Sequence, residues 1–200
     1  MEIVEQKEYK GYKINIYQDQ DPESPDSNGD EVLFLVGYHR DFYVDTNVNK
    51  KLAICIANEG VDEYGDNDEE ALKYIKEYYI FRLEAYIHSG VSLALKNEGN
   101  FPDRRWDVSQ LGLVFVNKTE AKTKKIARGL ALDLIKTWND YLSGNIYGFM
   151  IEDELGNEKG GCWGYYGDFE ESGLLDNAKA DVKQDKKEMS KLWEIAQMVT

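Results

Sequence analysis

Groups able to do chemistry beyond packing are sparse in this chain: two histidines, His39 and His88, and two cysteines, Cys55 and Cys162. His39, His88, Asp107 and Cys162 make the candidate catalytic set. Imidazole, carboxylate and thiolate are zinc ligands and proton carriers when a fold brings them together. Their spacing holds no H-E-x-x-H and no C-x-x-C, so each histidine reads first as a backbone-bonded residue at a strand end, and no metal or cofactor is expected. Ser109 follows Asp107 in WDVSQLG, which lacks the G-x-S-x-G elbow of hydrolases. Walker and dinucleotide-binding glycine loops are missing from the sequence. The glycine-rich stretch GGCWGYYG (160–167) ends a strand instead of opening a helix, so it is a poor phosphate cradle. Its Trp163, Tyr165 and Tyr166 are read as packing residues and as a candidate aromatic binding surface.

Charge supplies the other candidate site. The chain carries 38 acids against 24 Lys and Arg, a net −14. Residues 19–31 hold six acids and no base, and residues 59–70 hold seven acids and no base, together 13 of that excess. Neither segment fits a calcium loop: Gly29 comes too early in DSNGDE, and the closing glutamate is missing. Such a chain repels phosphate backbones, so direct DNA binding is not expected. Asp62, Glu63 and Asp66 become candidate contacts to a basic partner.

The elements that must position these residues follow from periodicity. Tyr12, Ile14 and Ile16 alternate, and VLFLVGY (32–38), LAICIA (52–57) and LGLVFV (111–116) read as buried strands. IFRLEAYI (80–87) and VSLAL (91–95) form a hairpin across His88-Ser89-Gly90. A last hairpin joins 146–153 to 160–166 through Leu155-Gly156-Asn157. A helix is expected to begin near Asp68, with Asp66 and Asn67 as caps. The longest helix is expected from Asn117 to about Leu142, its stripe being Ile126, Leu130, Leu134, Trp138 and Tyr141, flanked by Ala127, Ala131, Ile135 and Leu142, with Gly129 marking close packing. Trp106 is expected to be buried at the start of the 111–116 strand. The closing helix, about 178–200, is amphipathic around Val182, Met189, Leu192, Trp193, Ala196 and Val199, and is a candidate appendage.

The length of 200 residues suits one domain, 1–200. Strands precede helices without regular alternation, which predicts an α+β fold: a mostly antiparallel sheet with one long and two shorter helices packed on it. No run is long and apolar enough to span a membrane, and the start lacks a signal-peptide stretch. A cytoplasmic protein with two reduced thiols is expected.

Several segments resemble an uncharacterised family of bacteriophage and prophage proteins. They are DQDPESP (19–25), GYHRDF (37–42), HSG (88–90), RWDVSQLGLVFV (105–116), YLSGNIYGF (141–149) and CWGYYGD (162–168). The likeness spans roughly residues 10–170. SPDSNG lacks the tryptophan turn common in that family, and the final helix extends further. The resemblance implies a phage or mobile-element setting and no particular chemistry. In that setting the sequence favours a binding protein over an enzyme: one that engages a basic surface of a host protein, as a host-defence inhibitor or nucleic-acid mimic. The alternative is a small enzyme or metalloprotein built on His39, His88, Asp107 and Cys162. The sequence sets no oligomeric state.

Overall fold

The computed structural model describes residues 2–25, 31–39, 42–43, 48–88, 90–102 and 104–198. In chain order the strands are β1 (Ile3–Tyr9), β2 (Tyr12–Gln18), β3 (Leu33–His39), β4 (Phe42–Tyr43), β5 (Tyr78–Ile87), β6 (Val91–Leu95), β7 (Val108–Asn117), β8 (Ile146–Glu152) and β9 (Glu158–Tyr166). The helices are α1 (Lys50–Ala57), α2 (Glu69–Glu77), α3 (Arg104–Asp107), α4 (Lys124–Leu142) and α5 (Leu174–Met198). The strands form two antiparallel sheets, so the fold is α+β. The chain gathers into two compact units, Met1–Glu23 with Gly144–Thr200 and Ser24–Ser143, a finer division than one 1–200 domain. Among the described residues no helix is long and apolar enough to cross a membrane.

In the Ser24–Ser143 unit the strand order is β4-β3-β7-β5-β6. Central β7 is apolar on both faces, and Leu111 to Val116 are all buried. Its Leu111, Val114 and Val116 pack with Ala127, Ala131, Ile135 and Trp138 of α4. On the opposite face Leu113 and Phe115 meet Leu52, Ala53, Cys55 and Ile56 of α1 and Ala71 of α2. Phe34 stacks on Phe115 at 4.7 Å, adding aromatic contact to area burial. Strands β3 and β7 approach so closely at the Gly37–Gly112 pair that a Cβ on Gly112 would lie 1.7 Å from the Val36 carbonyl oxygen.

Two local expectations change here. LAICIA is helix α1, not a strand. The Asn49 side chain accepts from the Leu52 N–H as N-cap, and Gly60 N–H returns to the Cys55 carbonyl at the far end. Its buried positions 52, 53, 55 and 56 are one helical face, hidden in a run too short to show its period. The long helix begins at Lys124 with Thr123 as N-cap; Asn117 instead ends β7, its side chain accepting from Thr119. The buried stripe is Ala127, Ala131, Ile135 and Trp138, whereas Ile126 is half exposed. Gly129 has open space around it and marks no close packing.

In the other unit the order is β1-β2-β8-β9, with Leu174, Ala178 and Val182 of α5 buried against Tyr12, Ile14, Ile16, Phe149 and Ile151. The first half of α5 is therefore core of this unit. Tyr12 donates to Asp185 at 2.6 Å, a bond that pushes the phenol up to about 12. The β8–β9 turn closes on Asp153, which accepts from Leu155 and Asn157; the Asn157 side chain foremost holds its carboxyl at about 2.

Replacing Gly129 with alanine fills open space in a helix interior and should raise stability by about 1 kcal/mol. Gly112→Ala should lower it by about 3 kcal/mol, because backbone cannot yield as a side chain does. Urea midpoints of the two variants check both signs.

Candidate functional site

The acidic segment between α1 and α2 is a closed loop built on its own backbone. Val61 bridges Asn67, Asp62 N–H donates to the Asp66 carbonyl at 2.9 Å, and Asp68 N–H donates to the Gly60 carbonyl at 2.8 Å. The Asp62 carboxylate turns inward and accepts from the N–H groups of Tyr64 and Asp66, both at 2.9 Å. These bonds, that from Asp66 first, hold its carboxyl below the usual carboxylate range. Asp68 is spent locally too, as the N-cap of α2 accepting from Ala71 N–H. The helix therefore starts one residue beyond the caps expected at Asp66 and Asn67.

What remains is presented outward. Glu63, Asp66, Glu69 and Glu70 are exposed, and no ion pair within 4.0 Å involves them among the described residues. Tyr64 stands among them at 80% exposure. Sequence reading missed Tyr64; a lone aromatic inside an acidic run was the available signal. Of the three acids singled out there, Glu63 and Asp66 are displayed, while Asp62 holds the loop that displays them. Of the other acidic segment, residues 26–30 lie outside the described residues.

A second exposed feature lies at one end of the five-stranded sheet. Glu84, only 4% exposed, receives both its oxygens' bonds from Arg104 at 2.7 Å and another from Asn97 N–H at 3.0 Å. Burial pushes this carboxyl up, but Arg104 and the amide outweigh it and hold it below its ordinary value. Arg104 also donates to the Gly99 carbonyl, and Phe101 stacks on Tyr86 at 5.6 Å. This strap carries α3, and on it Trp106 is 78% exposed beside exposed Arg105. The buried Trp106 expected from the sequence is therefore wrong. The WDVSQL run looks continuous with the buried strand, but a short helix intervenes and turns the indole out.

The candidate catalytic set is divided. His88 is exposed at the end of β5, its ring edge-on to Tyr86 at 6.2 Å, and Asp107 closes α3. The Tyr86–Val108 and Gly37–Gly112 pairs place His88, Asp107 and His39 at the same end of that sheet; the His39 side chain lies outside the described residues. Cys162 is exposed on β9 of the other unit, and Cys55 is buried under α2, where burial pushes its thiol up. Among the described residues no group of three or more His, Cys, Asp or Glu is placed to hold a metal.

The aromatic trio on β9 is largely structural. Trp163 lies over Gly148, where a Cβ would meet the indole at 2.2 Å, and neighbours Tyr17 at 6.0 Å. Tyr165 packs on Phe149 and accepts from Asn177; Tyr166 donates to the Glu23 carbonyl. Trp163 keeps 38% exposure. Comparison with protein-family models, curated proteins and solved structures finds no match.

The Asp62 contribution to loop stability is present above its unfolded value near pH 4 and drains as pH falls through the depressed folded value. The Tyr64 and Asp66 amide shifts should therefore move together at a midpoint below 4 in a two-dimensional NMR titration. Trp106→Ala should change stability by no more than about 0.5 kcal/mol, where a core tryptophan would cost about 3–5. Its urea midpoint decides between the two.

Proposed function

We propose that this chain acts by binding a basic surface on another macromolecule, and that the loop between α1 and α2 makes the contact. One observation carries the reading: Asp62 is turned inward to fix the loop while Glu63, Asp66, Glu69 and Glu70 stay exposed around Tyr64. Carboxylates held on a hydrogen-bonded scaffold lose little entropy when they meet cations, and an exposed aromatic adds desolvated area at the centre. The charge steers encounter and sets orientation.

The phage resemblance makes a host protein the partner, one whose basic cleft ordinarily meets nucleic acid. On this reading the loop imitates a short run of phosphates, and the protein is a host-defence inhibitor working by occupation of that cleft in the host cytoplasm. The alternative is an enzyme centred on His39, His88, Asp107 and Cys162, of which the first three share one end of the five-stranded sheet and Cys162 stands in the other unit.

The test reverses Glu63 and Asp66 to lysine and leaves Asp62 in place. Capture of a basic host protein from bacterial lysate should weaken at least about tenfold, with the loss in the association rate, and wild-type capture should fall steeply as salt rises. Equal capture of the same protein by both chains, with one salt profile, contradicts the proposal.

A further inference from the structure

Helix α5 runs 25 residues, and only its first half is covered. Leu174, Ala178 and Val182 are buried on the sheet, and Asp185 and Lys186 still reach Tyr12. Beyond them the same stripe continues at heptad spacing, Val182 to Met189 and Asp185 to Leu192, but it lies open. Met189 is 52% exposed, Leu192 60% and Trp193 67%. Three large apolar side chains on one stretch of solvated helix are costly to leave in water unless something covers them.

Charge identifies the occupant. Residues 183–198 carry Lys183, Lys186, Lys187 and Lys191 against Asp185, Glu188 and Glu194, a net of +1 within a chain of net −14. The rest of the chain, at −15, repels a second copy; this segment does not. Its mixed signs are self-complementary, as a two-fold interface requires, because the same patch must match itself. We propose that the second half of α5 pairs antiparallel with the same segment of a second copy. Met189 of each chain packs on Leu192 of the other, and Lys186 lies beside the other chain's Trp193. That pairing leaves the two four-stranded sheets on which α5 packs at opposite ends of a contact about 20 Å long, beyond the roughly 8 Å over which charge acts at physiological salt.

Sedimentation equilibrium of the full chain from about 1 to 200 μM tests this. A monomer–dimer equilibrium is expected at physiological salt, where the separated bodies no longer repel. Leu192→Glu, at an exposed position where folding survives, should weaken the dimer at least about tenfold, with the circular dichroism unchanged. A wild-type chain that stays at 23.0 kDa throughout overturns the proposal. So does a dimer that Leu192→Glu leaves intact, which places the contact on another surface. A monomer whose tryptophan emission shifts blue on anionic phosphatidylserine vesicles, and no longer shifts in Leu192→Glu, overturns it too and gives the stripe to a lipid surface.

Discussion

Strand β7 must be covered on both faces. Six consecutive positions, Leu111 to Val116, are buried, and each large side chain among them contributes on the order of 1.5–3 kcal/mol only if it leaves water. One face is served by α4, whose small residues Ala127 and Ala131 let the helix sit close and whose Ile135 and Trp138 fill the remainder. The other is served by two short helices instead of one long one. Two helices need a connection, and a connection between helices packed on a sheet runs over the surface, where backbone can be solvated. The acidic loop is that connection.

Its order comes from the same economy of hydrogen bonds. A surface loop of eleven residues rich in Asp and Gly could remain loose. Here Asp62 and Asp68 take up backbone donors that the turn and the helix start would otherwise expose, so two of the loop's five acids serve the fold. Among the described residues Glu63 and Asp66 make no ion pair, while Glu69 and Glu70 stand in the first turn of α2, and that separation between holding and displaying acids is what gives the loop a functional reading. The strap that carries Trp106 shows the same logic with an ion pair: the buried Glu84 carboxylate fixes Arg104, and the exposed groups beyond it are held in place by contacts they do not make themselves.

The sequence made legible those elements whose pattern has one interpretation. Alternation in 80–87, the hairpin to 91–95, the buried run of 111–116 and the closing β8–β9 hairpin all stand where periodicity put them. LAICIA failed because six apolar residues fit a buried strand and a helix face equally, and only the Asn49 cap tips the balance. Asn117 imitated a helix cap because its side chain does bond a backbone N–H two residues on, but at the end of a strand. Strand β1 went unread since Ile3–Tyr9 is a mostly polar edge, with little alternation to detect. At the candidate site, the acids were legible as charge; which of them turn inward is a property of turn geometry that composition does not carry.

The acidic loop is ordered before it meets anything. Native-state hydrogen exchange of the Tyr64 and Asp66 amides in the free chain tests it directly. Both donate to Asp62, so both should exchange about a hundredfold or more slower than the same residues in an unstructured peptide, and together. Exchange at the unprotected rate would mean that the loop is merely solvated charge, and the account of a preformed binding surface would be wrong.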